Sequence, residues 1–352
     1  MQWFKQFFTH TPSPISFDAS DPATDADLEY CYRLILRRPP DEAGLAFWRT
    51  KIIREKLSVG NLVDGFISSN EFTDAHNNIK YVPMMISGET LHTVEFDNFL
   101  LCTSKKDYII STSIENSHQY EPAVSREIQC ILESSQVFVD VGANIGYFSL
   151  LAASIVGPNG HVYAFEPNPD NCSLLRFSAA QNHFKHITVY QNAVADVAQT
   201  YILETEGSNG RIVSAQQASD TDSFTNNNPT LSKTLPRLYV TSVRLDDVLS
   251  ELHTIDVIKI DIEGAEPRAI QGMQELVHKH RPVIISEFAP DLLKVTSGVA
   301  PEQYLKAFTT LGYTLFVIEE DSIKPIEQDY QQLEARYFTE GVDHIDIVAR
   351  PQ

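Results

Sequence analysis

The sequence is poor in basic residues. Its 27 lysine and arginine residues stand against 47 aspartate and glutamate residues, so the formal net charge is −20 over 352 residues. A protein that binds the phosphate backbone of a nucleic acid needs a basic surface patch. The composition therefore argues against nucleic acid as a partner, and it makes an anionic membrane surface an unfavourable one.

Cysteine pairs and long apolar runs are also missing. The four cysteines are scattered and include no C-x-x-C pair, so we expect reduced thiols and neither a disulfide framework nor a zinc site. No apolar run reaches the ~18 residues that a transmembrane helix needs. The first residues, MQWFKQFF, lack the apolar core and cleavage site of a signal peptide. We therefore expect a cytoplasmic protein without a transmembrane segment.

The sequence does contain a strand that breaks into a helix at glycines, in residues 137–154 (VFVDVGANIGYFSLLAAS). Apolar residues surround Asp140 in the strand, and from Tyr147 onward the apolar spacing is helical. The turn between them contains Gly142, Asn144 and Gly146. Glycines let the main chain approach a ligand, and the helix N-terminus offers unpaired N–H groups to it. The segment therefore predicts a ligand-binding turn.

The spacing of this turn separates the ligand classes. A dinucleotide-binding turn, G-x-G-x-x-G, would need glycine where Tyr147 stands, and the Gly-Lys-Ser/Thr of a P-loop is absent. The G-x-N-x-G pattern resembles motif I of S-adenosylmethionine-dependent methyltransferases, and the wording DVGANIG resembles the FkbM family of O-methyltransferases. The resemblance implies S-adenosylmethionine as cofactor and S-adenosylhomocysteine as product. It also implies that Asp140, Gly142, Asn144, Gly146 and Tyr147 bind the cofactor.

Strands and helices alternate along the rest of the chain. After residues 137–141, further strands are predicted at 161–167, 186–193, 255–261, 282–288, 313–320 and 343–350. Strands separated by helices predict a parallel sheet with right-handed crossovers, and the two closing strands, which no predicted helix separates, predict an antiparallel edge. The resemblance implies an α/β fold of the class I (Rossmann-like) methyltransferase type, a seven-stranded sheet of order 3-2-1-4-5-7-6 with strand 7 antiparallel.

We expect three parts along the chain. Residues 1–25 form a leader and linker, residues 26–80 a small all-α domain, and residues 81–352 the methyltransferase domain. The last part starts with short strands and a helix in residues 81–135. It also contains a polar insertion loop at 206–237, and a loop of that length is usually a lid, a substrate-binding segment or disordered.

The N-terminal helices show a second resemblance. Residues 26–76, with the string YRLILRRPPDEAGLAFW, resemble a short helical module of unknown function, phycobilisome-linker-like, found in bacterial surface and glycan-pathway proteins. None of its residues suggests catalysis. The resemblance implies an interaction or substrate-presenting role, so a protein partner at residues 26–76 is possible.

Acidic residues end four of the predicted strands, where ligands bind in an open α/β sheet. They are Asp140, Glu166, Asp261 and Glu287. Glu166 lies 24 residues after Gly142, and a carboxylate there can accept both hydroxyls of a ribose. Such a carboxylate would serve NAD equally well, so it predicts a nucleoside site without choosing the cofactor.

Two further positions complete the predicted cofactor site. Asn192 and Ala193 follow the third strand, where this fold reads adenine, although an Asn in a loop is also ordinary turn chemistry. Glu121 opens an amphipathic helix just before motif I, at the point where the FkbM resemblance begins, and we include it among the cofactor-binding residues.

The fourth strand carries a second motif, KIDIEGAE, which resembles the K-x-D-x-E-G-x-E signature of the FkbM family. Its lysine, Lys259, lies in an apolar strand, where an unpaired cation is very costly. Side-chain alternation places Lys259 on the same face as Asp261. We expect Asp140, Asp261 and Glu287 to lie within about 10 Å of one another, where like charges raise their pKa unless Lys259 or a bound divalent metal intervenes.

This cluster gives the predicted catalytic residues. A hydroxyl is a poor nucleophile, and methylation needs its proton removed as the bond forms. We expect Asp261 or Glu263 to be the general base, or the ligands of a metal if one binds, with Lys259 and Glu287 in support. The alternative is that Asp261 and Glu263 only pair with Lys259 and cap the next helix.

The sequence thus predicts an enzyme that transfers a methyl group from S-adenosylmethionine to a hydroxyl of a sugar, glycan precursor or natural product. An NAD-dependent oxidoreductase is the enzymatic alternative. A non-catalytic adaptor, which recruits a partner through the N-terminal helices, is the other.

Overall fold

The computed structural model describes residues 22–34, 40–67, 91–104, 114–115, 117, 119–206, 208–213, 237–326 and 330–352. The chain divides into two compact units, one within residues 1–82 and one within residues 83–352. Most of the predicted leader, residues 1–25, lies outside the described residues.

The N-terminal unit contains the helices α1 (Asp25–Leu34), α2 (Glu42–Glu55) and α3 (Val59–Ile67). The side chain of Asp41 caps α2 by accepting a hydrogen bond from the main-chain N–H of Gly44 at 2.8 Å. Trp48 and Phe66 stack at 4.6 Å between ring centroids and form part of a small apolar core. The part of residues 26–76 that the structure describes, residues 26–34 and 40–67, is therefore mainly helical, as predicted.

The second unit opens with an antiparallel hairpin, β1 (Leu91–Glu95) and β2 (Leu100–Ser104). Its remaining helices are α4 (Pro122–Ile131), α5 (Tyr147–Val156), α6 (Pro169–Gln181), α7 (Leu245–Val248), α8 (Glu266–Gln271), α9 (Gln274–His280), α10 (Pro290–Leu292, continued by a π-helical turn at Leu293–Ser297), α11 (Pro301–Thr310) and α12 (Tyr330–Glu340). Its remaining strands are β3 (Val137–Val141), β4 (His161–Phe165), β5 (Ile187–Tyr190), β6 (Ala193–Val194), β7 (Thr200–Glu206), β8 (Asn209–Val213), β9 (Arg237–Val243), β10 (Val257–Ile260), β11 (Val283–Phe288), β12 (Tyr313–Ile318), β13 (Ile323–Pro325) and β14 (Ile345–Pro351).

The main sheet has eight strands in the order β13-β12-β14-β11-β10-β3-β4-β5. Strands β5, β4, β3, β10 and β11 are parallel, and β14 runs antiparallel to both of its neighbours. When the short edge strand β13 is set aside, the order is 3-2-1-4-5-7-6 in the numbering of the predicted strands, with strand 7 antiparallel. The sheet therefore has one strand more than the seven predicted.

Both faces of this sheet are covered by apolar layers. Along β3, Val139 and Val141 face one core, and Phe138 faces the other. This explains why β3 is apolar apart from Asp140, since parallel strands are usually buried on both faces. The described helices include none that is long and apolar enough to cross a membrane.

The expectation that no helix joins the two closing strands was wrong. Helix α12 (Tyr330–Glu340) lies between β13 and β14. Only three of its side chains, Tyr330, Leu333 and Tyr337, are buried. They recur at helical spacing, but polar residues dominate the segment, so the pattern was easy to miss.

The predicted insertion loop, residues 206–237, is partly regular structure. Residues 209–213 form β8, which pairs with β7 in a four-stranded sheet of order β6-β9-β7-β8. The expectation of a continuous loop was therefore wrong at its start, because Asn209–Val213 form a strand that pairs antiparallel with β7. Residues 214–236 lie outside the described residues.

Candidate active site

A cavity of about 640 Å³ lies at the carboxyl ends of β3, β4, β5, β10 and β11. This volume is in the range of small-molecule sites. Most of the predicted site residues line it, namely Glu121, Gly142, Asn144, Tyr147, Glu166, Asn192, Ala193, Lys259, Asp261, Glu263 and Glu287. Topology therefore brings together residues that span more than half of the second unit.

The turn after β3 requires glycine for two reasons. Gly142 has φ +85°, a region that side chains rarely adopt. A Cβ there would also overlap the main-chain carbonyl oxygen of Asp261 after the neighbouring strand β10. The N–H groups of Gly142 and Ala143 both donate to the carbonyl oxygen of Phe165, at 2.9 and 3.0 Å. These contacts fix the turn beside the ends of β4 and β10.

Asp140 and Gly146 are not among the described residues that line the cavity. Asp140 is fully buried, and its Oδ2 accepts a hydrogen bond from Ser149 at 2.6 Å. Burial raises the pKa of Asp140, although Lys259 and Ser149 oppose the shift. Gly146 (φ +99°) packs against Leu175. Both residues lie behind the turn and support it from there.

Glu166 lies at the end of β4 and lines the cavity. It is 6% exposed, and its two oxygens accept hydrogen bonds from the main-chain N–H groups of Asn168 and Asn144, both at 2.8 Å. Burial raises the pKa of Glu166 to about 7, although these hydrogen bonds oppose the shift. The side-chain nitrogen of Asn171 also lies 3.4 Å from Oε1, so ligand hydroxyls can bind at the remaining lone pair of Oε2 and at Oε1 in place of this long contact.

Asn192 and Ala193 line the same end of the cavity. The side-chain nitrogen of Asn192 donates to Oγ1 of Thr241 at 2.8 Å. This contact orients the amide and leaves its oxygen to accept a hydrogen bond from a ligand.

Lys259 forms an ion pair with Asp261, and their atoms Nζ and Oδ2 are 2.8 Å apart. The prediction that they share a face of β10 is thus confirmed. Burial would lower the pKa of Lys259, but Asp261, Glu121 and Asp140 outweigh it and the net shift is upward. Burial would raise the pKa of Asp261, but the charge of Lys259 and the hydrogen bond from it outweigh burial, and the net shift is downward.

Three other carboxyl groups of the cavity, those of Glu121, Glu263 and Glu287, have raised pKa values. Burial and the Asp261 charge raise the pKa of Glu287 well above its usual value and that of Glu263 to about 7. Burial also raises the pKa of Glu121 to about 7, although Lys259 opposes the shift. Glu121 and Glu263 have positive φ, +39° and +55°, and such strain often marks functional positions.

Glu266, the last acid of the KIDIEGAE motif, has a structural role. Its Oε1 accepts hydrogen bonds from the N–H groups of Ile262 and Gly264, at 3.0 and 3.1 Å. Burial raises its pKa to about 7. Glu266 therefore fixes the turn that presents Glu263 to the cavity.

Sequence reasoning missed a group at the start of β14: Asp343, His344 and Asp346, which also line the cavity. The Nδ1 of His344 lies 3.6 Å from Oε1 of Glu287, and its Nε2 lies 3.7 Å from Oδ2 of Asp346. The contact with Asp346 raises the pKa of His344 to about 9, against burial. Because β14 is antiparallel, its start lies at the edge where the parallel strands end, and this was a usable signal.

The sequence left open whether a divalent metal binds at this site. Within the ranges that the structure describes, no three histidine, cysteine, aspartate or glutamate side chains are arranged to hold a metal ion. The cation found beside Asp261 is Lys259.

The strand order, the glycine turn after the first strand and the acid after the second together define a class I methyltransferase fold. Residues 140–314 match the family model described as the methyltransferase FkbM domain. This part of the chain, just under half of its residues, is therefore identified with the methyltransferase FkbM domain. Residues 18–76 match a second model, a domain of unknown function (DUF4214).

Two curated relatives and a solved structure show how far the similarity extends. The 31-O-demethyl-FK506 methyltransferase FkbM of Streptomyces tacrolimicus is 30% identical over 168 residues, which are 41% of this chain and 62% of that protein. Methyltransferase 1 of Beauveria bassiana is 26% identical over 147 residues, or 39% of this chain and 58% of that protein. The chain thus spans about six tenths of the length of these relatives. The methyltransferase FkbM from Methylobacillus flagellatus has 13% identity and a TM-score of 0.36, and the match covers 67% of this chain and 57% of that one.

Proposed function

We propose that this chain transfers a methyl group from S-adenosylmethionine to the oxygen of a hydroxyl on a sugar, glycan precursor or natural product. The observation that carries the proposal is that one cavity joins Glu166 and the glycine turn to the carboxyl groups of Glu263 and Glu287. In this proposal the cavity would bind a nucleoside and would also contain a proton acceptor.

The donor would occupy the end of the cavity formed by β3, β4 and β5. Glu166 would accept the two ribose hydroxyls, and the amide oxygen of Asn192 would accept a hydrogen bond from the exocyclic amine of adenine. The turn at Gly142 and Asn144 and the ring of Tyr147 would flank the rest of the donor. The carboxyl group of Glu121, which also lines the cavity, suits the donor's ammonium group.

Of the two predicted general bases, Asp261 and Glu263, Glu263 fits the role better. A base works well when its pKa is near the working pH, and the pKa of Glu263 is about 7. Asp261 is a weaker proton acceptor because Lys259 keeps it ionised with a lowered pKa. In the proposed step the acceptor oxygen bonds to the methyl carbon as the carbon–sulfur bond breaks. The electron pair goes to sulfur and the hydroxyl proton to Glu263.

A binding experiment tests the donor. S-adenosylhomocysteine at 100 times its Kd should stabilise the protein by about 2.7 kcal/mol, which a thermal-shift assay detects, and NAD should have no effect. Stabilisation by NAD and not by S-adenosylhomocysteine would favour the oxidoreductase and contradict the proposal.

A turnover experiment tests the base. With hydroxylated acceptors screened by S-adenosylhomocysteine formation, Glu263→Gln should lower kcat by about 100-fold or more and leave cofactor affinity unchanged. Glu275→Gln, at an exposed position of α9, is the matched control. Cofactor binding with no turnover on any acceptor would favour the non-catalytic adaptor.

We also propose that residues 26–80 are an interaction module, that residues 81–352 hold the catalytic function, and that the protein is cytoplasmic. The free thiols of its four cysteines and two exposed apolar side chains on α2, Phe47 and Ile53 (60% and 77% exposed), support this. Deletion of residues 1–80 should leave the affinity for S-adenosylhomocysteine unchanged in calorimetry, and a loss of affinity would contradict this division.

A further inference from the structure

The turn between β7 and β8 forms part of the cavity wall, although it lies outside the main sheet. Ser208, Asn209 and Gly210 line the cavity next to Asn144 and Glu166. None of these three residues belongs to the glycine turn or to the acidic motif after β10. The hairpin therefore brings a separate segment of the chain to the side of the cavity where the nucleoside would lie.

A chain of hydrogen bonds connects this hairpin to Glu166. The side-chain nitrogen of Asn144 donates to Oδ1 of Asn209 at 3.2 Å. The main-chain N–H of the same Asn144 donates to Oε2 of Glu166 at 2.8 Å. Asn144 has φ +50°, and its own Oδ1 accepts from the N–H of Ile145 at 2.7 Å. Both ends of the Asn144 amide are therefore held, one by its own turn and one by Asn209.

A second contact joins the hairpin to the other oxygen of Glu166. The side-chain nitrogen of Asn171 donates to the carbonyl oxygen of Ser208 at 2.8 Å and lies 3.4 Å from Oε1 of Glu166. Each oxygen of the carboxylate thus has a neighbour that the hairpin also holds. Glu166 is positioned from both sides by residues that depend on this turn.

Ion pairs and apolar contacts hold the hairpin in place. In β7, Glu204 is 5% exposed and forms ion pairs with Arg211 of β8 at 3.0 Å and Arg237 of β9 at 2.8 Å. Behind it, Tyr201 and Leu203 of β7 belong to a small apolar core of their own. These ion pairs connect all three strands, so they hold Asn209 at the start of β8 against the rest of the small sheet.

We propose that Asn209 is a positioning residue of the nucleoside site, which acts through Asn144 on the carboxylate of Glu166. The inference rests on the proposed function, because it takes the ligand of Glu166 to be a ribose. It predicts that Asn209 affects the binding of the nucleoside half of the cofactor and leaves the amino-acid half unaffected.

Calorimetry with S-adenosylhomocysteine and with adenosine tests this. Asn209→Ala removes the acceptor of Asn144 and should weaken the binding of both ligands by the same factor, about threefold to tenfold. Asn209→Asp keeps an acceptor oxygen and should restore both affinities. Tyr239→Ala, at an 83% exposed position on β9 of the same small sheet, is the control and should bind both ligands normally. The unfolding temperature of Asn209→Ala without ligand should stay near that of the parent protein.

The outcomes distinguish a failure of the Asn209 inference from a failure of the proposed function. Unchanged affinity of Asn209→Ala for both ligands overturns the inference, and so does a loss confined to S-adenosylhomocysteine, which would place the effect at the amino-acid half. If Asn209→Ala does not fold, Asn209→Ser is measured in the same calorimetric assay, because the serine side chain is too short for its hydroxyl to reach Asn144. If the parent protein binds neither ligand, the proposed function itself fails.

Discussion

The replacement of Glu166 by glutamine isolates the charge of one carboxylate while keeping its shape. In the parent protein both oxygens of Glu166 accept main-chain hydrogen bonds, from Asn144 and Asn168, each at 2.8 Å. Glutamine has one oxygen and one NH₂ group, so one of these buried N–H groups would face another donor. The ribose hydroxyls would lose one acceptor at the same time.

These two losses have different magnitudes and different signatures. An unsatisfied buried N–H costs about 1–3 kcal/mol, and this cost falls on the ligand-free protein as a lower unfolding temperature. A hydrogen bond to a charged group contributes about 1.5–3 kcal/mol, and its loss falls on the complex. We therefore expect Glu166→Gln to weaken S-adenosylhomocysteine binding by roughly 10- to 150-fold.

Titration calorimetry measures the affinity, and thermal unfolding without ligand measures the stability separately. Asp170→Asn is the matched control, because Asp170 is an exposed carboxylate at the start of α6 and lies outside the cavity wall. It should change the affinity little. If Glu166→Gln binds S-adenosylhomocysteine as tightly as the parent protein, Glu166 does not hold the ribose and the nucleoside assignment is wrong.

Three further predictions concern the turn and the titration of the site. Gly142→Ala should abolish S-adenosylhomocysteine binding, because its Cβ would overlap the carbonyl oxygen of Asp261, whereas Gly157→Ala, also at positive φ but with open space around it, should bind normally in the same calorimetric assay. Four glutamates have a folded-state pKa of about 7 in place of the ordinary 4.5, namely Glu121, Glu166, Glu263 and Glu266. Between pH 4.5 and 7 the folded protein therefore binds more protons than the unfolded chain, so the free energy of unfolding falls as the pH rises through 7. Unfolding temperatures of the ligand-free protein at pH 5.5 and 8 check this, and a rise with pH would refute it. The pKa of His344 is raised to about 9, so its stabilisation is complete below pH 6.5 and is lost as pH rises through 9. His344→Gln should therefore lower the unfolding temperature at pH 6 and leave it unchanged at pH 10.

The parts of the site that follow from local pattern were predictable. Apolar residues around Asp140 identify β3, and the carboxyl-end rule for parallel strands places Glu166 in the cavity. Side-chain alternation pairs Lys259 with Asp261. Each of these depends on a few consecutive residues and on the order of the strands, so the sequence alone contains enough information.

The parts that depend on distant contacts were not predictable in the same way. Asn209 and Asn144 are 65 positions apart, and no local pattern relates them. His344 enters the cavity only because the last strand is antiparallel. The choice between Asp261 and Glu263 as base depends on how deeply each carboxyl group is buried, and that requires coordinates.

The charge inventory of the cavity has a consequence for turnover. Seven carboxyl side chains but two cationic ones, Lys259 and His344, are among the described residues that line it. The sulfonium of the methyl donor carries a permanent positive charge, and the thioether left after transfer carries none. The carboxyl groups that are ionised should favour the charged species by Coulombic attraction, so in the proposed reaction the spent cofactor should bind less tightly than the methyl donor.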